Sequence, residues 1–284
     1  MASTDRSSGP APVRPKHRHV ARRVVLGIVV VVLIGGSTFA YLWSRSGAHA
    51  VSSSEALERF RHQDPNGSDN VVGPLPGVYA YQGTGIETIS VPPKSQSEGP
   101  GMPGTVVRRP GGCFEFRIDF SDHHWQSWDY CVHDGALESP GRAGYYNWDF
   151  VAFHVDDTST FACQPVVTTV PDPTVSGTVS KVACTGSNDK LSTGPVIMRG
   201  TSTLVRSGDI RVGSRTLAAV LVAEHVTFSK GQSGSNDTST WFAVSTGLPL
   251  RGTWHTRVST TSPVGISTLD AHGDFTLTSV TPSR

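Results

Sequence analysis

Two hydrophobic patterns divide this chain. From Val24 to Trp43 twenty consecutive residues carry no charge (VVLGIVVVVLIGGSTFAYLW), a run that spans a hydrocarbon core of about 30 Å as a helix. From about Gly77 to the end no such run recurs, and apolar positions instead alternate with polar ones, the period of half-buried strands. Cys113 to Phe120 (CFEFRIDF) alternates strictly, with Phe114, Phe116, Ile118 and Phe120 on one face and Glu115, Arg117 and Asp119 on the other. After the turn Ser121-Asp122-His123-His124, the segment Trp125 to Val132 alternates again. Pairing Cys113 opposite Cys131 sets Phe114 against Tyr130 and Phe116 against Trp128, so one register gives both a disulfide on the polar face and an aromatic ladder on the core face. Cys163 to Val170 and Gly177 to Cys184 repeat the logic around Pro171-Asp172-Pro173, which favours a turn and ends strand pairing.

Further strands are predicted at Val196 to Val205, Ile210 to Val212, Arg215 to Ser229, Thr240 to Ser245, Leu250 to Thr260 and Ile266 to Val280. Gly213-Ser214, a polar loop from Lys230 to Ser239, Thr246 to Pro249 and Ser262 to Gly265 separate them. Short connections make neighbours antiparallel, and several strands are too long for a small closed sandwich. The pattern predicts an all-β domain over 77–284, built as a large curved antiparallel sheet or half-open β-barrel.

Ahead of it, residues 1–21 are rich in Pro, Ser and Arg and read as a disordered basic tail. Residues 22–43 read as one transmembrane helix and 44–76 as a flexible linker in which Ala56, Leu57 and Phe60 form a short apolar helical stripe. Such a linker reaches roughly 30 Å, which lets the β domain stand clear of the headgroups. Arg6, Arg14, Lys16, Arg18, Arg22 and Arg23 oppose only Asp5 before the apolar run. The positive-inside bias therefore predicts a single-pass cell-membrane protein with a cytoplasmic N-terminus and the domain outside. A cleaved signal peptide is the competing reading, for which Ala48-His49-Ala50 supplies the small-x-small spacing. A lipid anchor does not fit, because the first cysteine, Cys113, lies far beyond the run.

The four cysteines allow three pairings. Hairpin geometry selects Cys113 with Cys131 and Cys163 with Cys184, each stabilising by about 3 kcal/mol in the chain-entropy model, and an extracytoplasmic site is oxidising enough to keep them. A four-cysteine zinc site needs close C-x-x-C pairs, which are absent.

Catalytic grammar is nearly missing: there is no G-x-S-x-G, phosphate loop, H-E-x-x-H or calcium loop. Asp122, His123 and His124, with His133 and Asp134 beyond, form one polar cluster that reads as a hairpin tip, and no catalytic, cofactor or metal set is assigned. Glu224 and His225 are consecutive on a strand and face opposite sides; His255 and His272 read as solvent-facing or hydrogen-bonded strand residues. Net charge is +1, and much of the basic excess lies in the tail, which disfavours nucleic-acid binding. The aromatics cluster, and Phe116, Trp128, Tyr130, Trp148 and Trp241 are the candidates to line a groove for an apolar ligand.

The succession GVYAYQGTG (77–85), GGCFEF (111–116), Cys131, FACQPVVTTVPD (161–172), ACTG (183–186) and TWFAVSTGLPLR (240–251), then SPVG and a last long strand, resembles a group of membrane-anchored extracytoplasmic proteins of high-GC Gram-positive bacteria with no established activity. Its closing pattern is more distantly similar to the half-open barrels that carry lipoproteins or lipoglycans across bacterial envelopes. That resemblance implies a curved sheet cupping an apolar ligand and carries over no functional residues. The leading expectation is a non-enzymatic, anchored protein that binds a lipid or other apolar envelope component. The alternative is a structural or interaction module whose loops at 92–112 and 230–239 meet an envelope protein or the cell wall. A metal-dependent envelope hydrolase using Asp122, His123 or His124 is the third.

Overall fold

The computed structural model describes residues 47–63, 73–150, 153–170, 177–192, 194–262 and 265–284. The basic tail and apolar run read from residues 1–46, and the turn Pro171-Asp172-Pro173, lie outside them. No helix among the described residues is long and apolar enough to cross a membrane.

Among the described residues thirteen strands succeed one another as an antiparallel meander. They are β1 (Gly77–Ser90), β2 (Pro93–Glu98), β3 (Gly101–Arg109), β4 (Cys113–Asp119), β5 (His124–His133), β6 (Ala136–Asp149) and β7 (His154–Val170), then β8 (Val179–Asn188), β9 (Val196–Val212), β10 (Arg215–Lys230), β11 (Gln232–Ala243), β12 (Pro249–Ser262) and β13 (Gly265–Leu277). The short β2 and β3 follow each other along one edge of β1, which pairs with β3 over Gly77–Gln82 and with β2 over Gly85–Ser90. Along its other edge β1 pairs with β13, from Tyr81 opposite Leu277 to Ile89 opposite Leu269. The sheet is thus not an open cup: it closes on itself as a barrel of 12 staves. Closure pairs the edges of β1 and β13 that a half-open sheet would leave exposed, while the short β2 has β1 as its one strand neighbour among the described residues.

Glycines make that seam possible. A Cβ on Gly83 would lie 1.9 Å from the Asp274 carbonyl oxygen, and one on Gly273 would lie 2.4 Å from the Trp254 ring and 2.5 Å from the Thr84 carbonyl oxygen. The Trp254 indole therefore lies over bare backbone on the inner side of the seam. At the break between β2 and β3, Gly99 takes φ +80°, and a Cβ there would meet the Gly83 carbonyl oxygen at 2.1 Å.

The Cys113–Cys131 hairpin has the register the aromatic alternation predicts, with Phe114 opposite Tyr130 and Phe116 opposite Trp128. Both disulfides form as expected, Cys113–Cys131 and Cys163–Cys184. One end of the barrel interior is packed solid by Tyr81, Phe114, Tyr130, Leu137, Phe242, Leu250 and Leu277 among others. The Tyr81 hydroxyl donates to the Pro249 carbonyl across this plug at 2.6 Å. The second disulfide joins Val167, Val182, Met198 and Val226 in a separate small core.

Several segments read as loops are strands. Residues 93–98 and 101–109 form β2 and β3, and the polar stretch 230–239 supplies the first two-thirds of β11. The pieces predicted at 196–205 and 210–212 are one strand, β9, which runs through Ser207-Gly208-Asp209 with an irregularity opposite Leu221/Val222. Within the segment read as a linker, helix α1 (Ser53–Gln63) opens on a capping box: the Glu55 amide donates to Ser52 Oγ at 3.2 Å and the Ser52 amide to Glu55 Oε2 at 2.8 Å. Ala56 and Phe60 bury against Val78 and Val107 on the outer wall, and Arg59 pairs with the buried carboxylate of Asp119, which also takes Arg117.

The seam gives a direct prediction. Gly273→Ala forces the Trp254 ring and β1 apart and should lower unfolding free energy by about 1–3 kcal/mol, measured by chemical denaturation. An unchanged midpoint would contradict the close approach of β1, β12 and β13.

Candidate functional site

Beyond the plug the barrel is not filled. A cavity of about 210 Å³ extends along its interior, against the roughly 10–15 Å³ that one water requires. It reaches from Phe116, Tyr130, Phe242 and Phe275 beside the plug to Trp148, Asp157, Gln232 and Ser267 at the opposite rim. A twelve-stave barrel is wider than the eight-strand size whose side chains just fill it, so residual space is the geometric default. The wall from β4 to β6 is aromatic, with Phe116, Phe120, Trp128, Tyr130 and Trp148, while Asn236, Thr238, Thr240 and Thr256 make the facing stretch of β11 and β12 polar.

One ion pair crosses this interior. Arg142 on β6 donates to both carboxylate oxygens of Glu224 on β10, at 2.6 and 3.0 Å. The side chains are 13% and 12% exposed, so neither charge is well solvated. Burial opposes the guanidinium's charge, but the Glu224 carboxylate outweighs it and holds Arg142 above its ordinary pKa. Two further donors on the cavity wall, Arg142 Nε and the indole Nε1 of Trp254, are buried with no hydrogen-bond acceptor. Buried donors are normally satisfied, so both stand open to an acceptor.

A second polar constellation lies inside the wall near the rim. Glu87 on β1, Glu98 on β2 and His124 on β5 are 0%, 4% and 0% exposed. His124 Nδ1 contacts Glu98 Oε1 and lies 2.6 Å from Glu87 Oε1. Gln96 donates to Glu87 Oε2 at 2.5 Å, and the Gln126 amide nitrogen sits 3.2 Å from His124 Nε2. Phe120 and Tyr146 sandwich the imidazole, with ring centres 4.6 and 4.2 Å away. Burial alone would discharge His124, but the two carboxylates outweigh it and hold the imidazole at about 10. Burial is also the largest influence on Glu98 and pushes it up to about 7, whereas His124 and Gln96 overcome burial at Glu87 and hold it below the usual carboxylate value.

The structure places four of the five groove candidates, Phe116, Trp128, Tyr130 and Trp148, on the cavity wall. Trp241 is elsewhere: Thr240 and Phe242 face the cavity, so the alternation turns Trp241 to the other face of the sheet, where it is still buried. There it lies over Gly208 with Arg206 and Arg251 at 5.3 and 5.8 Å from its ring. The cluster read at 122–134 does not gather. His124 and His133 are the two ends of β5, about 30 Å apart at strand rise.

At the first end, the Asp122 carboxylate accepts from the His49 amide at 2.6 Å, His123 meets Gln96 at 3.3 Å, and His124 turns inward. Glu224 and His225 do face opposite sides, the first to Arg142 and the second to Asp237 at 2.6 Å. His255 and His272 are solvent-facing beside Asp270. Glu87 and Glu98 escape a reading of sequence motifs. Their one signal is phase, because Glu87 shares the face of Ile89, an acid where an apolar residue belongs.

No protein-family model matches the chain, and no curated protein or solved structure matches it significantly.

The ion pair predicts asymmetric mutational costs. Glu224→Ala strands the guanidinium and should destabilise by about 3 kcal/mol, whereas Arg142→Met with Glu224→Leu should recover most of that loss. A double variant no better than the single one would show that the pair itself holds β6 to β10.

Proposed function

We propose that the barrel is a non-enzymatic binding protein whose cavity takes one amphipathic molecule, a lipid or similar apolar component of the cell envelope. The supporting observation is the unfilled interior, aromatic on one side and carrying one buried ion pair with two unpartnered donors. An apolar body lies along Phe116, Trp128 and Trp148, and acceptor groups such as ester or phosphate oxygens meet Arg142 Nε or Trp254 Nε1. Most binding energy then comes from apolar burial, at roughly 25 cal/mol per Å², and the polar group sets depth and orientation. The N-terminal run Val24–Trp43 fits this role as an outward-facing single-pass anchor that holds the barrel beside the lipid source.

Native mass spectrometry of residues 47–284, secreted with both disulfides, tests the reading. It predicts an adduct of lipid mass that is lost on denaturation. It also predicts that Trp128→Ala weakens uptake of a fluorescent fatty-acid probe about tenfold. A bare mass together with no probe uptake would refute it.

A further inference from the structure

The buried trio on β1, β2 and β5 serves neither the plug nor the cavity wall, and its atoms are arranged for more than a hydrogen bond. We propose that Glu87, Glu98 and His124 form a closed site for one divalent transition-metal ion, with Zn²⁺ the best chemical fit, which clips the short strand β2 to β1 and β5.

The three offer one imidazole nitrogen and carboxylate oxygens that all lie within 4.8 Å of one another. An Nδ1 proton can serve only one acceptor well. It serves Glu98 and leaves Glu87 Oε1, 2.6 Å from the nitrogen, ion-paired with the ring but without a hydrogen bond of its own. Glu98 Oε2 is likewise buried without one. A cation in place of that proton engages the nitrogen and both carboxylates together, and its two charges balance the two acids in a site that excludes water.

The surroundings fit a ligand set. Gln96 fixes the Glu87 carboxylate through Oε2, and the Gln126 side-chain amide stands at His124 Nε2, where its oxygen, once the amide is turned, accepts the proton that a metal-bound imidazole carries on its other nitrogen. The space is kept by a glycine, since a Cβ on Gly85 would lie 2.1 Å from Glu98 Oε2. One imidazole with carboxylates suits Zn²⁺ better than the all-oxygen shells of Ca²⁺ or Mg²⁺. Three residues give a tetrahedral Zn²⁺ three ligands, the second Glu98 oxygen, Oε2, can complete the four of a structural site, and burial closes it to a substrate.

The test uses the full-length chain with a tag that lacks histidine, purified without chelator and dialysed against Zn²⁺ or Mn²⁺. Elemental mass spectrometry is referenced to sulfur, using the 4 Cys and 3 Met of the sequence. One ion per chain should survive gel filtration and be lost in Glu98→Gln and His124→Gln. It should persist in His225→Gln/His255→Gln/His272→Gln, which removes three exposed histidines of the outer wall. X-ray absorption of the wild type, which needs no variant to fold, should show a single imidazole and oxygen ligands. Less than a tenth of an ion per chain, an ion lost only with the outer histidines, or a spectrum with two or more imidazoles would overturn the proposal.

Discussion

Everything inside this protein depends on one line of backbone pairing, the seam between the first strand and the last. A sheet of this length with two free edges would expose rows of unpaired amides and carbonyls to other chains. Pairing Tyr81–Ile89 with Leu269–Leu277 removes the free edges of β1 and β13, leaves the short β2 with one edge that no described strand pairs, and converts a curved sheet into an enclosure. The cost is local crowding, relieved by Gly83, Gly85 and Gly273, whose missing side chains admit neighbouring backbone, the Glu98 carboxylate and the Trp254 indole. Once the seam is shut, the inward positions become a private environment with a composition of its own.

That environment is graded along the barrel axis. The plug around Tyr81, Phe114 and Leu277 is ordinary apolar core and supplies hydrophobic stabilisation. The cavity above it forgoes such packing, and Arg142 and Glu224 pair across it. Nearest the rim, β2 turns Lys94, Gln96 and Glu98 inward, so that Glu87 and His124 find polar partners in place of solvent. A protein that needed only stability would have filled both regions with leucine and phenylalanine, because buried ionic groups return little net stability. Polar groups retained there accord with the proposed binding role.

How much of this was legible in the sequence follows from which positions face inward. Where the inner face is apolar and the outer face charged, as at Cys113–Phe120 and Trp125–Val132, alternation alone fixes strand, partner, register and disulfide. Where the inner face is itself polar or glycine, the contrast vanishes. β1 turns Gly83, Gly85 and Glu87 inward, β2 its Lys, Gln and Glu, and β11 its Asn236, Thr238 and Thr240, so these strands read as loops or go unread. The cavity aromatics were legible as a cluster, but Trp241 was not, since its face depends on the phase of β11, whose polar half hides it. Closure and the meeting of Glu87, Glu98 and His124 depend on pairing between distant strands, which no local periodicity encodes.

The most direct test of this account is amide hydrogen exchange on residues 47–284 with both disulfides intact. If the barrel is closed, segments 83–89 and 269–275 exchange as slowly as the centrally placed β9 and β10, because both lie between two hydrogen-bonded neighbours. If those two segments exchange as fast as frayed edges while β9 and β10 stay protected, the sheet is open, and an enclosed cavity with it must be abandoned.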